Sequence, residues 1–160
     1  MSMESLTALL WRERQLLELL LFKLDVEQLL LTNGRNQWLA HATDEVTTVL
    51  EEIRTTELGH AVESDAVAAR LGLAPGATLA QLAAAAPAPW DTILDEHRDA
   101  FIDLTHRIGA LADDNRRLLT AAHRSAQETL LAVDRTVQTY DAHGHAGNGT
   151  GDATLFDASL

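Results

Sequence analysis

The feature that most constrains the fold is a stretch without proline that runs from Trp90 to about Ala142. Only Gly109 weakens its helix-forming pattern, and Pro89 stands just before it, where proline suits the first turn of a helix. Roughly 50 residues at about 1.5 Å per residue give a helix ~75 Å long. Such a helix is longer than a compact core needs, so part of it is expected to lack cover from this chain.

The composition indicates that the rest of the chain is helical as well. The 160 residues include 28 Leu and 26 Ala but only 7 Val and 4 Ile, so good helix formers supply the apolar content. This length, with 46% hydrophobic residues, suffices for one domain with a sizeable core. The sequence predicts an all-α protein.

Two amphipathic runs precede the long one. The first extends from about Glu4 to Thr32, with leucines seven residues apart on a face wide enough to contact more than one helix. The second extends from Asn36 to about Leu58. Asn33-Gly34 between them predicts a helix stop and a reversal, and a kinked continuous helix is the alternative. We expect an elongated antiparallel bundle or coiled coil of three long helices within residues 1–142.

Residues 61–89 predict short helices inserted between the second and third long helices. Ser64-Asp65 can cap one short helix that Gly72 closes, and Thr78 with Gln81 reads as a capping box for another. Pro87 ends that second short helix.

Residues 143–160 form a separate segment by composition. They begin with glycine-rich sequence that lacks large apolar residues, so we expect a flexible tail. Its end regains apolar side chains at Leu155, Phe156 and Leu160, which could fold back onto the long helix when that helix has no partner. A purely solvating tail is the alternative.

The apolar positions of the long helix change phase along its length. The first half places Leu94, Phe101, Ile108 and Asn115 seven residues apart, and the line shifts by one residue in the second half. Asn115 is interpreted as a register-setting polar core residue, with a hinge as the alternative.

The shorter first helix, ~42 Å long, cannot cover all of the long one unless the packing is offset. An uncovered apolar stripe is typical of a partner site, commonly one that receives an amphipathic helix. Homodimerisation, or cover from the short helices, is the alternative.

Charge and composition exclude several kinds of partner. A formal net charge of −12 without a basic patch argues against nucleic acid. The densest apolar stretch, from Leu16 to Leu31, contains four charged residues, which argues against a signal peptide or membrane insertion. We expect a cytoplasmic protein.

No pattern makes a strong case for catalysis. Glu57 and His60 have the Glu-x-x-His spacing of di-iron bundles, but the nearest second copy is only Asp103-Leu-Thr-His106. Nucleophile elbows, phosphate loops and dinucleotide fingerprints are absent from the sequence. We therefore predict no enzyme activity, catalytic residue, metal or cofactor, and keep a metal-binding helical bundle as a remote alternative.

The order of several helical segments resembles the FlgN family of flagellar export chaperones, especially its Leu- and Arg-rich actinobacterial form. The resemblance covers almost the whole chain. Its specificity lies in the order of the segments, in the contexts of Trp11 and Trp90 and in the Asn115-Arg-Arg-Leu-Leu119 step. The matching stretches are Leu9 to Leu24, Trp38-Leu-Ala, Val46 to Arg54 with Glu57-Leu58, Ala85-Ala-Pro-Ala-Pro-Trp90 and Leu111-Ala-Asp-Asp-Asn-Arg-Arg-Leu-Leu119.

This resemblance implies a cytoplasmic chaperone, monomeric or homodimeric. It would hold the disordered amphipathic C-terminal segments of hook–filament junction proteins, prevent premature assembly and deliver them to the type III export gate and its ATPase complex. A homo-oligomeric coiled-coil scaffold is the alternative. The implied client-binding residues lie on the last part of the long helix: Leu118, Leu119, Ala122, Ala126, Leu130, Val133, Val137 and Tyr140.

Overall fold

The computed structural model describes residues 2–142, with side chains up to residue 139. Every regular element in this part of the chain is helical, which confirms the all-α prediction. The predicted elongated arrangement of three long helices stays a prediction. The elements are α1 (Met3–Thr32), a 3₁₀ turn (Asn36–Trp38), α2 (Leu39–Arg70), α3 (Leu79–Ala85) and α4 (Trp90–Ala142).

Helix α1 ends where the sequence predicts. Gly34 has a φ of 65°, and the N–H of Arg35 donates to the carbonyl of Leu30 at 2.9 Å. The N–H of Gly34 donates to the carbonyl of Leu31 at 3.4 Å. These two bonds close the last turn in the manner of a Schellman motif, which needs a residue that tolerates positive φ. A kinked continuous helix is excluded.

Helix α2 is longer than predicted, and the expectation of a separate short helix capped by Ser64-Asp65 is wrong. Gly59 does not end α2, which continues to Arg70 and places Val67 and Ala68 in the core. The Asp65 side chain accepts a 2.8 Å hydrogen bond from the N–H of Gly76 instead of capping a helix. Gly72, with a φ of 74°, follows the end of α2.

The second short helix is confirmed as α3. The Thr78 hydroxyl accepts from the N–H of Gln81 at 3.2 Å, and the Gln81 side chain accepts from the N–H of Thr78 at 2.8 Å. This reciprocal pair is a capping box. Ala86, before Pro87, has extended backbone, so the helix cannot continue. Residues 61–89 thus contain the last part of α2 and one short helix.

Residue contacts divide the chain into two compact units, Met1–Leu119 and Thr120–Leu160. The predicted domain boundary after residue 142 stays a prediction, and the segment 143–160 lies outside the described residues. None of the helices in the described part combines the length and apolar character needed to cross a membrane.

The first unit has two apolar clusters that α1, α2 and the first part of α4 share. In one, Leu17 and Leu24 of α1 pack with Val46 and Ile53 of α2 and Leu104 of α4. In the other, which α3 joins, buried side chains from all four helices meet: Leu6, Leu10, Val67, Ala68, Leu82, Ala83 and Leu94. Low residue numbers of α1 meet high numbers of α2, so these two helices are antiparallel.

Candidate functional site

The implied client-binding residues differ in their exposure. Leu118, half-buried, and Leu119, 38% exposed, belong to the first unit. In the second unit Leu130 is 70% exposed, Val133 51% and Val137 53%. Ala122 and Ala126 are exposed too, and the Tyr140 side chain lies outside those described. We call Ala122, Ala126, Leu130, Val133 and Val137 the open apolar face.

Helical spacing places the large members of this face together. At about 100° per residue, Leu130, Val133 and Val137 lie within about 60° of one another around the helix axis. Leu131, 57% exposed, lies about 100° from Leu130 in the other direction, away from Val133. It therefore offers a control of the same residue type outside the face.

Between residues 120 and 139, the charged side chains leave this face free. Arg124, Glu128 and Arg135 lie on the opposite side of α4 by helical spacing, and Asp134 lies at the edge of the face. Thr129 and Thr136 donate their hydroxyl hydrogens to the carbonyls of Ser125 and Ala132, at 3.0 and 2.9 Å. Their polar groups are thus occupied within the helix, and the open apolar face is a surface for apolar contact.

Asn115 is buried between α4 and α1, as expected of a polar core residue. Its side-chain Nδ2 donates to the carbonyl of Leu24 at 2.9 Å and to Oε1 of Glu27 at 3.2 Å. The hydroxyl of Thr43 on α2 lies 3.3 Å from the other carboxylate oxygen and donates to it. One hydrogen-bond network, buried at Asn115 and Glu27 and reaching the surface at Thr43, therefore joins three helices. Such networks favour one register over its alternatives.

The alternative metal site based on Glu57 and His60 gains no support. Glu57 is exposed, and Nδ1 of His60 lies 2.7 Å from Oε2 of Glu13 on α1. Within residues 2–142 no group of three or more His, Cys, Asp or Glu side chains could hold a metal ion. His143 and His145 lie outside the described residues.

Sequence reasoning missed His97, which is 2% exposed on the buried side of α4. Trp11 meets its ring edge-on at 4.8 Å between centroids, and Phe101 stacks at 6.1 Å. Burial lowers the pKa of His97 below its ordinary value, the nearby positive charge of Arg14 lowers it further, and Glu96 acts in the opposite direction. The signal was present in the sequence, because His97 falls three residues after Leu94 and four before Phe101.

The described chain is all-helical, with a packed first unit and an open apolar face on its last helix. A family model described as FlgN protein matches residues 1–148. The chain therefore belongs to the FlgN family, which places it in general among the flagellar export chaperones, a family of chaperones and not of enzymes. No curated protein and no solved structure matches it.

Proposed function

We propose that this chaperone holds the amphipathic C-terminal segments of hook–filament junction proteins on the open apolar face of α4. The observation that carries the proposal is the exposure of Leu130, Val133 and Val137, each more than half accessible on an uncharged strip. Exposed apolar strips on helices are commonly filled by an amphipathic helix that supplies apolar residues at matching intervals. Leu118, Leu119 and Tyr140 are proposed to extend the contact.

The expected affinity follows from the number of side chains available. Five or six client side chains at ~1.5–3 kcal/mol each give roughly 10 kcal/mol of gross apolar stabilisation. Ordering a disordered client subtracts ~2–5 kcal/mol, and association has a further cost. Micromolar to submicromolar binding is expected, which masks the segment and still allows its release.

The proposed function also includes the compartment of the chaperone and the fate of the bound client. The chaperone works in the cytoplasm, as a monomer or homodimer, and prevents its client from assembling early. It then delivers the client to the type III export gate and its ATPase complex. Family membership supports these steps because it places the chain among flagellar export chaperones in general.

The test is client binding by paired variants of adjacent leucines. Leu130→Asp places a charge on the open apolar face, and we expect it to weaken binding of the C-terminal segment of a hook–filament junction protein ~10- to 100-fold by calorimetry. Leu131→Asp makes the same change at 57% exposure on another side of α4, and should change affinity less than about threefold. Circular dichroism should show unchanged helicity in both.

Two results would contradict the proposal. An equal loss of client affinity in both variants would mean that a new charge weakens binding on either side of α4. No loss of affinity in either variant would mean that the client binds elsewhere. Light scattering addresses the scaffold alternative, in which the face pairs with a second copy. A mass that stays dimeric or higher when excess client peptide is added would favour the scaffold.

A further inference from the structure

The tail sequence directly follows the end of α4 that carries the open apolar face. The face is uncovered in the described part: every side chain from residue 119 to residue 139 is exposed. The sequence that follows contains one apolar group, at Leu155, Phe156 and Leu160. We propose that this group lies on the end of the open apolar face formed by Val137, Val133 and Leu130 when no client is bound.

The length of the intervening chain supports this occupant. Twelve residues separate Ala142 from Leu155, and four of them are glycine. A glycine-rich chain of that length spans about 20 Å on average, and at most about 45 Å when fully extended. Val137 lies about 7 Å before the end of α4 and Leu130 about 18 Å before it. The average span therefore matches the distance back to Leu130.

The same arithmetic limits how much of the face the tail covers. Leu155 to Leu160 spans about 8 Å as a helix and about 17 Å as an extended strand. The group therefore covers the part from Leu130 to Val137, and the part near Ala122 and Ala126 stays open. An incoming client can make its first contacts at these alanines and then displace the tail residue by residue.

The chemistry of the tail also suits a weak, reversible contact. Its three apolar side chains match the three large apolar residues of the face in number, while the intervening sequence lacks large apolar side chains. A contact of this size binds weakly between separate molecules, but a short tether gives an effective concentration near millimolar. The tail thus competes with the client without blocking it. This competition rests on the proposed function, whereas the contact itself does not.

The contact can be tested without a client. The chain contains no cysteine, so Ala158→Cys introduces a single site for a spin label in the full-length protein. We expect the label to broaden the methyl NMR signals of Leu130, Val133 and Val137. A matched variant with the same label replaces Leu155, Phe156 and Leu160 by serine, which keeps the length and charge of the tail. If the apolar group holds the tail in place, broadening is clearly weaker in the serine variant.

Equal broadening in the two labelled forms would overturn the proposal, because tethering alone would then bring the label near the face. Broadening of an isotope-labelled chain by a spin label on a second chain would also overturn it, because the tail would then lie on another copy. The serine variant should in addition bind client about two- to tenfold more tightly. An unchanged client affinity despite weaker broadening would show a contact too weak to compete and would overturn the proposed competition.

The tail contact and the client site can fail independently of each other. If broadening depends on the apolar group while Leu130→Asp leaves client binding intact, the tail contact stands and the proposed client site falls. If Leu130→Asp weakens client binding while the two labelled forms behave alike, the client site stands and the tail contact falls.

Discussion

The two parts of α4 use similar residues in opposite environments. From residue 94 to residue 115 the line of large residues is buried or half-buried, with Leu94 fully buried and Leu104 only 5% exposed. From residue 120 to residue 139 all side chains are exposed, although Leu130, Val133 and Val137 continue an apolar line. Apolar residues in the first part stabilise the fold. In the second part they have no such role within the described chain, which indicates that they serve another molecule or segment.

The two parts of α4 should differ most in how much the free energy of unfolding falls when a leucine is truncated to alanine. Leu104→Ala should lower the free energy of unfolding by about 2–5 kcal/mol, because it opens a cavity where Leu104 packs with α1 and α2. Leu130→Ala removes the same atoms from an exposed side chain and should change it by less than about 0.5 kcal/mol. Urea unfolding followed by circular dichroism measures both.

Comparable destabilisation by the two alanine variants would break the comparison, since Leu130 would then be packed in solution as firmly as Leu104. A small effect of Leu104→Ala on the free energy of unfolding would also contradict the comparison, because the first part of α4 would then contribute little to the core.

A smaller effect should follow from the titration of His97. Because burial lowers its pKa, the folded protein binds fewer protons than the unfolded chain at pH values just below the ordinary value of about 6.5. His97 therefore does not reduce the free energy of unfolding above that pH. The free energy of unfolding decreases as the pH drops below it, because the unfolded chain gains the proton more readily. His97→Phe should make the loss of unfolding free energy between pH 7.5 and 5.5 shallower than in the parent.

His97→Gln distinguishes the effect of protonating residue 97 from the effect of changing how its side chain packs. Glutamine does not titrate and keeps a polar side chain, so this variant should also show the shallower pH dependence, whatever its stability at pH 7.5. If both variants retain the full dependence of the parent, the acid sensitivity of the fold arises from other groups.

Local sequence signals predicted those elements that short-range chemistry determines. The stop at Asn33-Gly34 needs only a residue tolerant of positive φ, and the capping box at Thr78 and Gln81 needs only two side chains three residues apart. The continuation of α2 past Gly59 was not predictable in this way. A glycine in a helix costs up to about 1 kcal/mol by propensity, and the packing of Val67 and Ala68 in the core beyond Gly59 offsets that cost.

The candidate site shows the same division between local and tertiary information. The spacing of Leu130, Val133 and Val137 was evident in the sequence, and the structure adds that these side chains are exposed. What covers them depends on other molecules or on residues outside those described, so neither the pattern nor the fold decides it. The partners of Asn115 were equally unpredictable, because Leu24 and Glu27 lie about 90 residues away along the chain.

The smallest effect on stability is also the sharpest test of what the second part is for. Valine is a poorer helix former than alanine, by about 0.5 kcal/mol per residue. Two valines that are exposed within residues 2–139, and that meet at most a weak tail contact, therefore slightly weaken the helix. Val133→Ala with Val137→Ala should therefore leave stability unchanged or raise it by up to about 1 kcal/mol. The same double variant should lower client affinity about tenfold or more, because it removes four methyl groups from the open apolar face. Circular dichroism and calorimetry on one preparation measure the two effects. Unchanged or higher stability together with lower client affinity would mean that these valines serve binding, although alanine would suit the helix better. Lower stability with unchanged affinity would mean that they stabilise the fold and do not contact the client.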